Sequence, residues 1–306
     1  MSLSTDLRDE LASIAPARGC DRIAELSALF HSAGRIHLLG RGKVSLHLDL
    51  GSSGVARRAF TLLRELGIHS EIRTYRRPAF DHATRYQLHV AGDELALAVL
   101  REAGVVDRRG APLERPPRRI VARSCCRGAY LRGALLGGGS LSGPRSPHLE
   151  LRTASLEGAE FIRAVAAAEK IAMGVLDRGK HAIAYAKGAE AIEGLLIAAG
   201  AGDAVLAFEE QSVVAALRGQ ANRLANADHA NLVRSSRAAQ AQIAAIRTLA
   251  ADGRLDRLSR RLHEAAELRL RYPTMSLAEL ARRADPPSSK AAIHRRLSRL
   301  LELARP

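Results

Sequence analysis

"YLRGALLGGGSL", Tyr130 to Leu141, is the stretch on which the reading of the chain turns. It begins as a helix, runs into glycines and goes on as a strand. Inside a helix, Gly137, Gly138 and Gly139 would each cost about 1 kcal/mol relative to Ala. Two situations keep such a segment: something comes very close to its backbone, or it carries the remains of a site.

The stretch has a counterpart. "LSALFHSAG" (Leu26–Gly34) aligns with "LRGALLGGG" (Leu131–Gly139), and the same order of elements follows each. In the first copy, "CDRIAELSALFHSAG" repeats its apolar residues at helical spacing, at Ile23, Leu26, Leu29 and Phe30. "RIHLLGRGKVSLHLDL" alternates and is broken by Gly40 and Gly42, as a hairpin is. "SGVARRAFTLLRELG" is a helix stopped by glycine, "HSEIRTY" with "RYQLHVAG" a second hairpin, and "DELALAVLREAG" a helix ending at Gly104. After an Arg/Pro-rich connector, Asp107–Ser124, helix, hairpin, helix, hairpin, helix returns and ends at Gly200. The spacing predicts a diverged internal duplication with shorter loops in the second copy. From about Phe208 the pattern is helical throughout.

Composition narrows the function. The chain has 306 residues, no Trp, and a formal net charge of +15. Such an excess fits a phosphate-bearing partner, or the Arg-rich proteome of a high-GC genome. Cys20, Cys125 and Cys126 show no CxxC or Cys/His spacing, so no metal or cofactor is expected, and they read as small residues of a reduced, intracellular protein. The N-terminus is amphipathic and polar without a signal-peptide pattern, and no apolar run is long enough to span a membrane. "GGGS" lacks the Lys-Ser/Thr of a phosphate loop and does not follow a strand. The basic run Arg108–Arg132 is either a solvated connector or a DNA-contacting arm. Asn222, Asn226 and Asn231 in "ANRLANADHANL" read as caps or bridges at a domain junction more than as base contacts.

The C-terminal residues speak for DNA binding by themselves. "LDRLSRRLHEAAELRLRYP" (Leu255–Pro273) reads as one helix; "SLAELARRA" opens on a capping box, Ser276 with Glu279 three residues on. "DPPSSK" is a turn with a cap at Ser288 or Ser289, and "SKAAIHRRLSRLLELA" is the third helix. Ile293, Leu297, Leu300, Leu301 and Ala304 fall on one face of it; Arg295 and Arg299 fall opposite, with His294 and Arg296 on the flanks. Ala291 and Ala292 are small enough for the first turn to enter a groove. This is the pattern of a recognition helix. Arg254–Pro306 carries 13 Arg/Lys and 6 Asp/Glu, a net of +7.

Both "LSALFHSAG" and "LRGALLGGG" resemble the LAGLIDADG motif of homing endonucleases. The resemblance implies two helices packed face to face between two saddle-shaped sheets. It also implies small residues in the seam, which here are Ala28, Ser32, Gly133 and Gly137. Active members carry a metal-binding carboxylate at the eighth motif position. Ala33 and Gly138 stand there, and His31 and Leu136 at the sixth, so the resemblance implies a retained fold and a lost nuclease. Over nearly the full length, with "AELSALFHSAG", "CCRGAYLRGALLGGGSLSGPRSPHLEL", "RGQANRLANADHANL" and the C-terminal module, the chain resembles the WhiA family of bacterial sporulation and cell-division transcription regulators.

The expectation is therefore an α+β protein: a duplicated LAGLIDADG-like αββαββα domain at 1–205, a helical linker at 206–253, and an all-α helix-turn-helix domain at 254–306. It binds promoter DNA through Ser289, Lys290, Ala291, His294, Arg295, Arg296 and Arg299, with Arg282 and Arg283 on the preceding helix. His294-Arg295-Arg296 replaces the Asn-His-Arg run usual in relatives, so its base preference should differ. The resemblance implies control of septation genes without catalysis, a location on the nucleoid in the cytoplasm, and another transcription regulator of the sporulation pathway as partner. The alternatives are a working endonuclease and an effector-sensing domain coupled to a DNA-binding module.

Overall fold

The computed structural model describes residues 3–40, 43–76, 84–143 and 146–305. Gly42, expected to help break the first hairpin, lies outside them. The chain divides into two compact units, Met1–Ala215 and Ala216–Pro306.

The first unit opens with α1 (Leu3–Ser13). Then come α2 (Gly19–Ala33), β1 (Gly34–Gly40), β2 (Lys43–Leu50), α3 (Ser53–Glu65), β3 (Ser70–Arg76), β4 (Thr84–Ala91) and α4 (Glu94–Glu102). The order repeats as α5 (Ser124–Gly138), β5 (Gly139–Leu141), β6 (His148–Thr153), α6 (Leu156–Ala168), β7 (Gly174–Asp177), β8 (Ala182–Lys187) and α7 (Ala189–Ala199). The unit boundary falls inside α8 (Gly202–Ala251). Local chemistry sets the helix limits. Ser52, Asp93 and Ser155 accept from the backbone N–H three residues on and so start α3, α4 and α6. Gly200 closes α7 in the left-handed region at φ 90°, where a side chain would be strained.

Each half makes a four-stranded antiparallel sheet, in the orders β1-β2-β4-β3 and β5-β6-β8-β7. Period-two alternation puts Leu46 and Leu48 opposite Val90 and Leu88 in one sheet, and Leu149 and Leu151 opposite Ala186 and Ala184 in the other. All are buried, and these faces lie against α2 and α3 in the first half and α5 and α6 in the second.

The second unit holds the rest of α8, then α9 (Arg260–Arg271), α10 (Leu277–Arg283) and α11 (Lys290–Leu303). The single helix expected over Leu255–Pro273 is broken. Leu255–Arg257 is one 3-10 turn, and Ser259 takes the extended backbone of a helix N-cap before α9. Gly253, at φ 62°, turns the chain so that Leu255 packs with Ile246 and Leu249 of α8, around a core shared with Ala265, Leu280, Ile293, Leu297 and Leu300. Burying Leu255 there outweighs the helical continuity its spacing favours.

Candidate nucleic-acid interface

In the second unit, α10 starts at a complete capping box. The Ser276 hydroxyl accepts from the Glu279 N–H at 3.3 Å, and the Glu279 carboxylate accepts from the Ser276 N–H at 2.8 Å. Hydrogen bonds from the Ser276 side chain and backbone hold the Glu279 carboxyl below the usual carboxylate range. The turn after α10 is tied down twice: Ser288 N–H donates to the Ala281 carbonyl at 2.9 Å, and Asp285 N–H donates to Glu264 of α9 at 2.6 Å. Ser289 then caps α11, accepting from Ala292 N–H at 3.1 Å.

Ile293, Leu297 and Leu300 are buried, while Leu301 and Ala304 are half-buried. The opposite face of α11 exposes Ser289, Lys290, Ala291, His294, Arg295 and Arg299. These cations are not equivalent. Arg295 has no ion-pair partner among the described residues, whereas Arg299 pairs with Glu302 at 2.8 Å in solvent. Arg296 is half-buried and pairs with Glu264 at 3.4 Å, which locks α11 to α9. Arg282 and Arg283 are exposed on α10, with Arg283 over the Tyr272 ring at 4.7 Å. A rigid, capped helix with small residues and unpaired cations on its exposed first turns can enter a DNA groove; a cation fixed by a carboxylate must give that up first.

In the first unit, α2 and α5 lie side by side. A Cβ on Gly133 would strike the Glu25 carbonyl oxygen and come within 2.9 Å of the Ala28 Cβ; one on Gly137 would meet the Ser32 Cβ at 2.9 Å. Contacts that pair like positions of the two copies, toward the same end of both helices, make α2 and α5 parallel. The opening glycines thus serve close backbone approach.

Ala33 ends α2, buried, and Gly138 ends α5. A cavity of about 410 Å³ opens beside Gly137–Ser140, and Arg8, Arg85 and Arg152 line it with Asp49 and Glu150. Arg8 donates to the Gly139 carbonyl at 2.7 Å. Burial, and then the charge of Arg85, lowers the Arg8 pKa. The two carboxylates are engaged: Asp49 accepts from Tyr75 and Gln87, and Glu150 pairs with His148 at 2.8 Å. His31 is buried, its Nδ1 at 2.7 Å from the Ser27 carbonyl, and burial lowers its pKa.

This geometry bears on restoring acids. A Cβ on Gly138 would sit 2.5 Å from the Arg152 carbonyl oxygen of β6, so a carboxylate there has no room without moving the sheet. The double variant Ala33→Asp/Gly138→Asp should therefore bind divalent metal weakly at most and leave supercoiled DNA uncut. Efficient magnesium-dependent nicking by it would refute this reading.

The basic run Arg108–Arg132 is mixed in structure. Arg115, Arg127 and Arg132 pair with Glu157, Glu169 and Glu25, whereas Arg108, Arg109, Arg118 and Arg123 are exposed without ion pairs among the described residues. Asn222, Asn226 and Asn231 lie exposed in the interior of α8 and cap no helix end. One group escaped the sequence reading. Glu25 of α2, fully buried, takes Arg58 of α3 at 2.9 Å and Arg132 of α5 at 2.8 Å, and Arg132 also donates to the Ala199 carbonyl at 3.2 Å. Its only trace in the sequence is an acid between Ala24 and Leu26, inside the stretch of α2 that is buried.

Comparison with known proteins covers both units. A model of the WhiA N-terminal LAGLIDADG-like domain matches residues 19–106, the WhiA LAGLIDADG-like domain matches 127–218, and the WhiA C-terminal HTH domain matches 221–304. The probable cell division protein WhiA of Heliobacterium modesticaldum is 36% identical over 99% of this chain and 96% of its own length. That of Acidothermus cellulolyticus is 37% identical over 99% of this chain and 94% of its own. Among solved structures, full-length DUF199/WhiA from Thermatoga maritima shares the fold with a TM-score of 0.56, over 97% of this chain and 96% of that one, at 23% identity.

Proposed function

The chain belongs to the WhiA family of cell division proteins, and on that premise we propose that it is a sequence-specific DNA-binding transcription regulator of cell division and sporulation septation that does not cut DNA. Its HTH domain accounts for DNA binding in the general sense; the rest of the reading is the finer step. The observation that carries it is the capped helix α11, whose buried Ile293, Leu297 and Leu300 leave Lys290, Ala291, His294 and Arg295 facing solvent. The proposed partners are double-stranded promoter DNA and a second regulator of the same pathway, met in the cytoplasm. Among the described residues no helix is long and apolar enough to cross a membrane. The proposed division of labour gives residues 1–205 the degenerate LAGLIDADG-like role, 206–253 the linker and 254–306 the DNA contact. Loss of nuclease activity is supported by Ala33 and Gly138, neither of which offers a metal ligand.

In this reading Arg295 meets base edges in the major groove, and Arg282 meets phosphates. Arg295→Ala should cost about 1–3 kcal/mol on a specific site and much less on random DNA. Arg282→Ala should weaken both and lower the log–log salt slope by about 0.9 for the lost phosphate contact. Salt titrations of each variant on specific and random duplexes check this. Equal weakening of both duplexes by Arg295→Ala would make Arg295 a phosphate clamp. Arg296→Ala, whose partner is Glu264, should instead lower the stability of the second unit.

A further inference from the structure

All three cysteines of the chain meet at one point. The Sγ atoms of Cys20, Cys125 and Cys126 and a carboxylate oxygen of Asp21 lie within 4.8 Å of one another. Cys20 and Asp21 begin α2; Cys125 and Cys126 begin α5. The offset of 105 that superposes Leu26 on Leu131 also superposes Cys20 on Cys125 and Asp21 on Cys126. The quartet is thus one donor pair, present in each copy of the duplication, brought together because the two helices run parallel from a common end.

From this convergence we infer that Cys20, Asp21, Cys125 and Cys126 bind one zinc ion that clamps the N-termini of the two central helices. Three sulfurs and one carboxylate are a zinc-type donor set, softer than magnesium or calcium accepts. At zinc–sulfur bonds of about 2.3 Å, the ligands of a tetrahedron stand roughly 3.8 Å apart. Cys125 Sγ and Cys126 Sγ are already 3.9 Å apart, and Cys20 Sγ is 3.5 Å from Asp21 Oδ1. Small rotamer adjustments close the shell. Binding converts three thiols to thiolates and releases their three protons to solvent, leaving the four-ligand site with a net charge of −2. The Arg18 guanidinium, set against Cys125, offsets part of it. No redox partner is needed, because the cysteines are reduced before and after. Cys126 is buried and the other three are half-buried, so the site is closed enough to serve structure rather than catalysis.

The test uses the full-length chain, reduced and stripped with a chelator. Titration with Co²⁺ should give one equivalent of binding, with sulfur-to-cobalt charge transfer and the intense visible bands of a tetrahedral ion. Zn²⁺ should bleach them stoichiometrically and raise the thermal midpoint of the first unit. Cys126→Ser should weaken Co²⁺ binding at least tenfold. Should that variant fold poorly, Asp21→Cys keeps the test sharp: a fourth thiolate should strengthen the charge-transfer band and tighten binding. Pale octahedral cobalt spectra from the folded, reduced chain would overturn the inference. So would zinc affinity unchanged in Cys20→Ser and Cys126→Ser, or an Asp21→Cys spectrum identical to that of the unsubstituted chain.

Discussion

Replacing Glu25 with Gln should cost the first unit about 3–5 kcal/mol, the largest loss expected from a single substitution in this protein. The carboxylate is fully buried between Arg58 and Arg132, whose side chains are 3% and 9% exposed. Each guanidinium gave up water to reach it. Gln keeps the shape and one acceptor oxygen but leaves two buried cations without a counter-charge, and that desolvation penalty is what the variant feels. Arg58 has no slack, since its Nη2 already lacks a partner among the described residues. The measurement is urea unfolding followed by tyrosine fluorescence, to which Tyr130, a buried α5 residue packed edge-on to Phe161, contributes. A loss under about 1 kcal/mol would mean that water reaches the triad. The companion variant Glu25→Leu/Arg58→Leu/Arg132→Met should recover most of the loss, because apolar replacement of a whole buried ion triad is often neutral or better. Recovery would assign the triad to fixing how α2, α3 and α5 meet, not to net stability.

Gly133→Leu should destabilise the same unit by roughly 1–3 kcal/mol or more. The obstacle is backbone as well as side chain: the first added carbon runs into the Glu25 carbonyl oxygen and the Ala28 Cβ. A carbonyl inside a helix cannot swing aside, so α2 and α5 must separate, and every contact along the seam loosens with them. Gly133→Ala should already show part of the effect. Unchanged thermal unfolding of the Leu variant would remove the seam from this account. The two substitutions act on neighbouring parts of α2, so their effects should not add.

Helix and strand order was legible because punctuation is local. Glycines at 67, 104 and 200 end helices in the left-handed region, and Ser289 with the Ser276–Glu279 box marks helix starts that any reader of spacing can find. The seam was legible for a different reason: the resemblance of both copies to one motif implies it at Ala28, Ser32, Gly133 and Gly137, and of the three consecutive glycines Gly137 lies in it. What could not be read is partner choice over distance. Glu25 and Arg132 are 107 residues apart, and nothing local to either names the other. The cysteines hid the same way, since their spacing is split across the two copies. The break at Ser259 was invisible because Leu255 fits a helical stripe and a separate core contact equally well, and packing made the choice. The pairing of Arg296 with Glu264 likewise depends on how α9 and α11 cross.

The parallel seam joins like positions: Ala28 meets Gly133, and Ser32 meets Gly137. In a symmetric dimer each such contact would be a residue against its own copy, and any change would appear twice. Within one chain that constraint is gone. One helix can surrender a Cβ while the other keeps it, and an acid on one side can face a base on the other. The tether also replaces a bimolecular association with loop closure, at an effective concentration set by the connector and not by expression level. Dilution, which would dissociate two separate halves, should leave the joined seam intact.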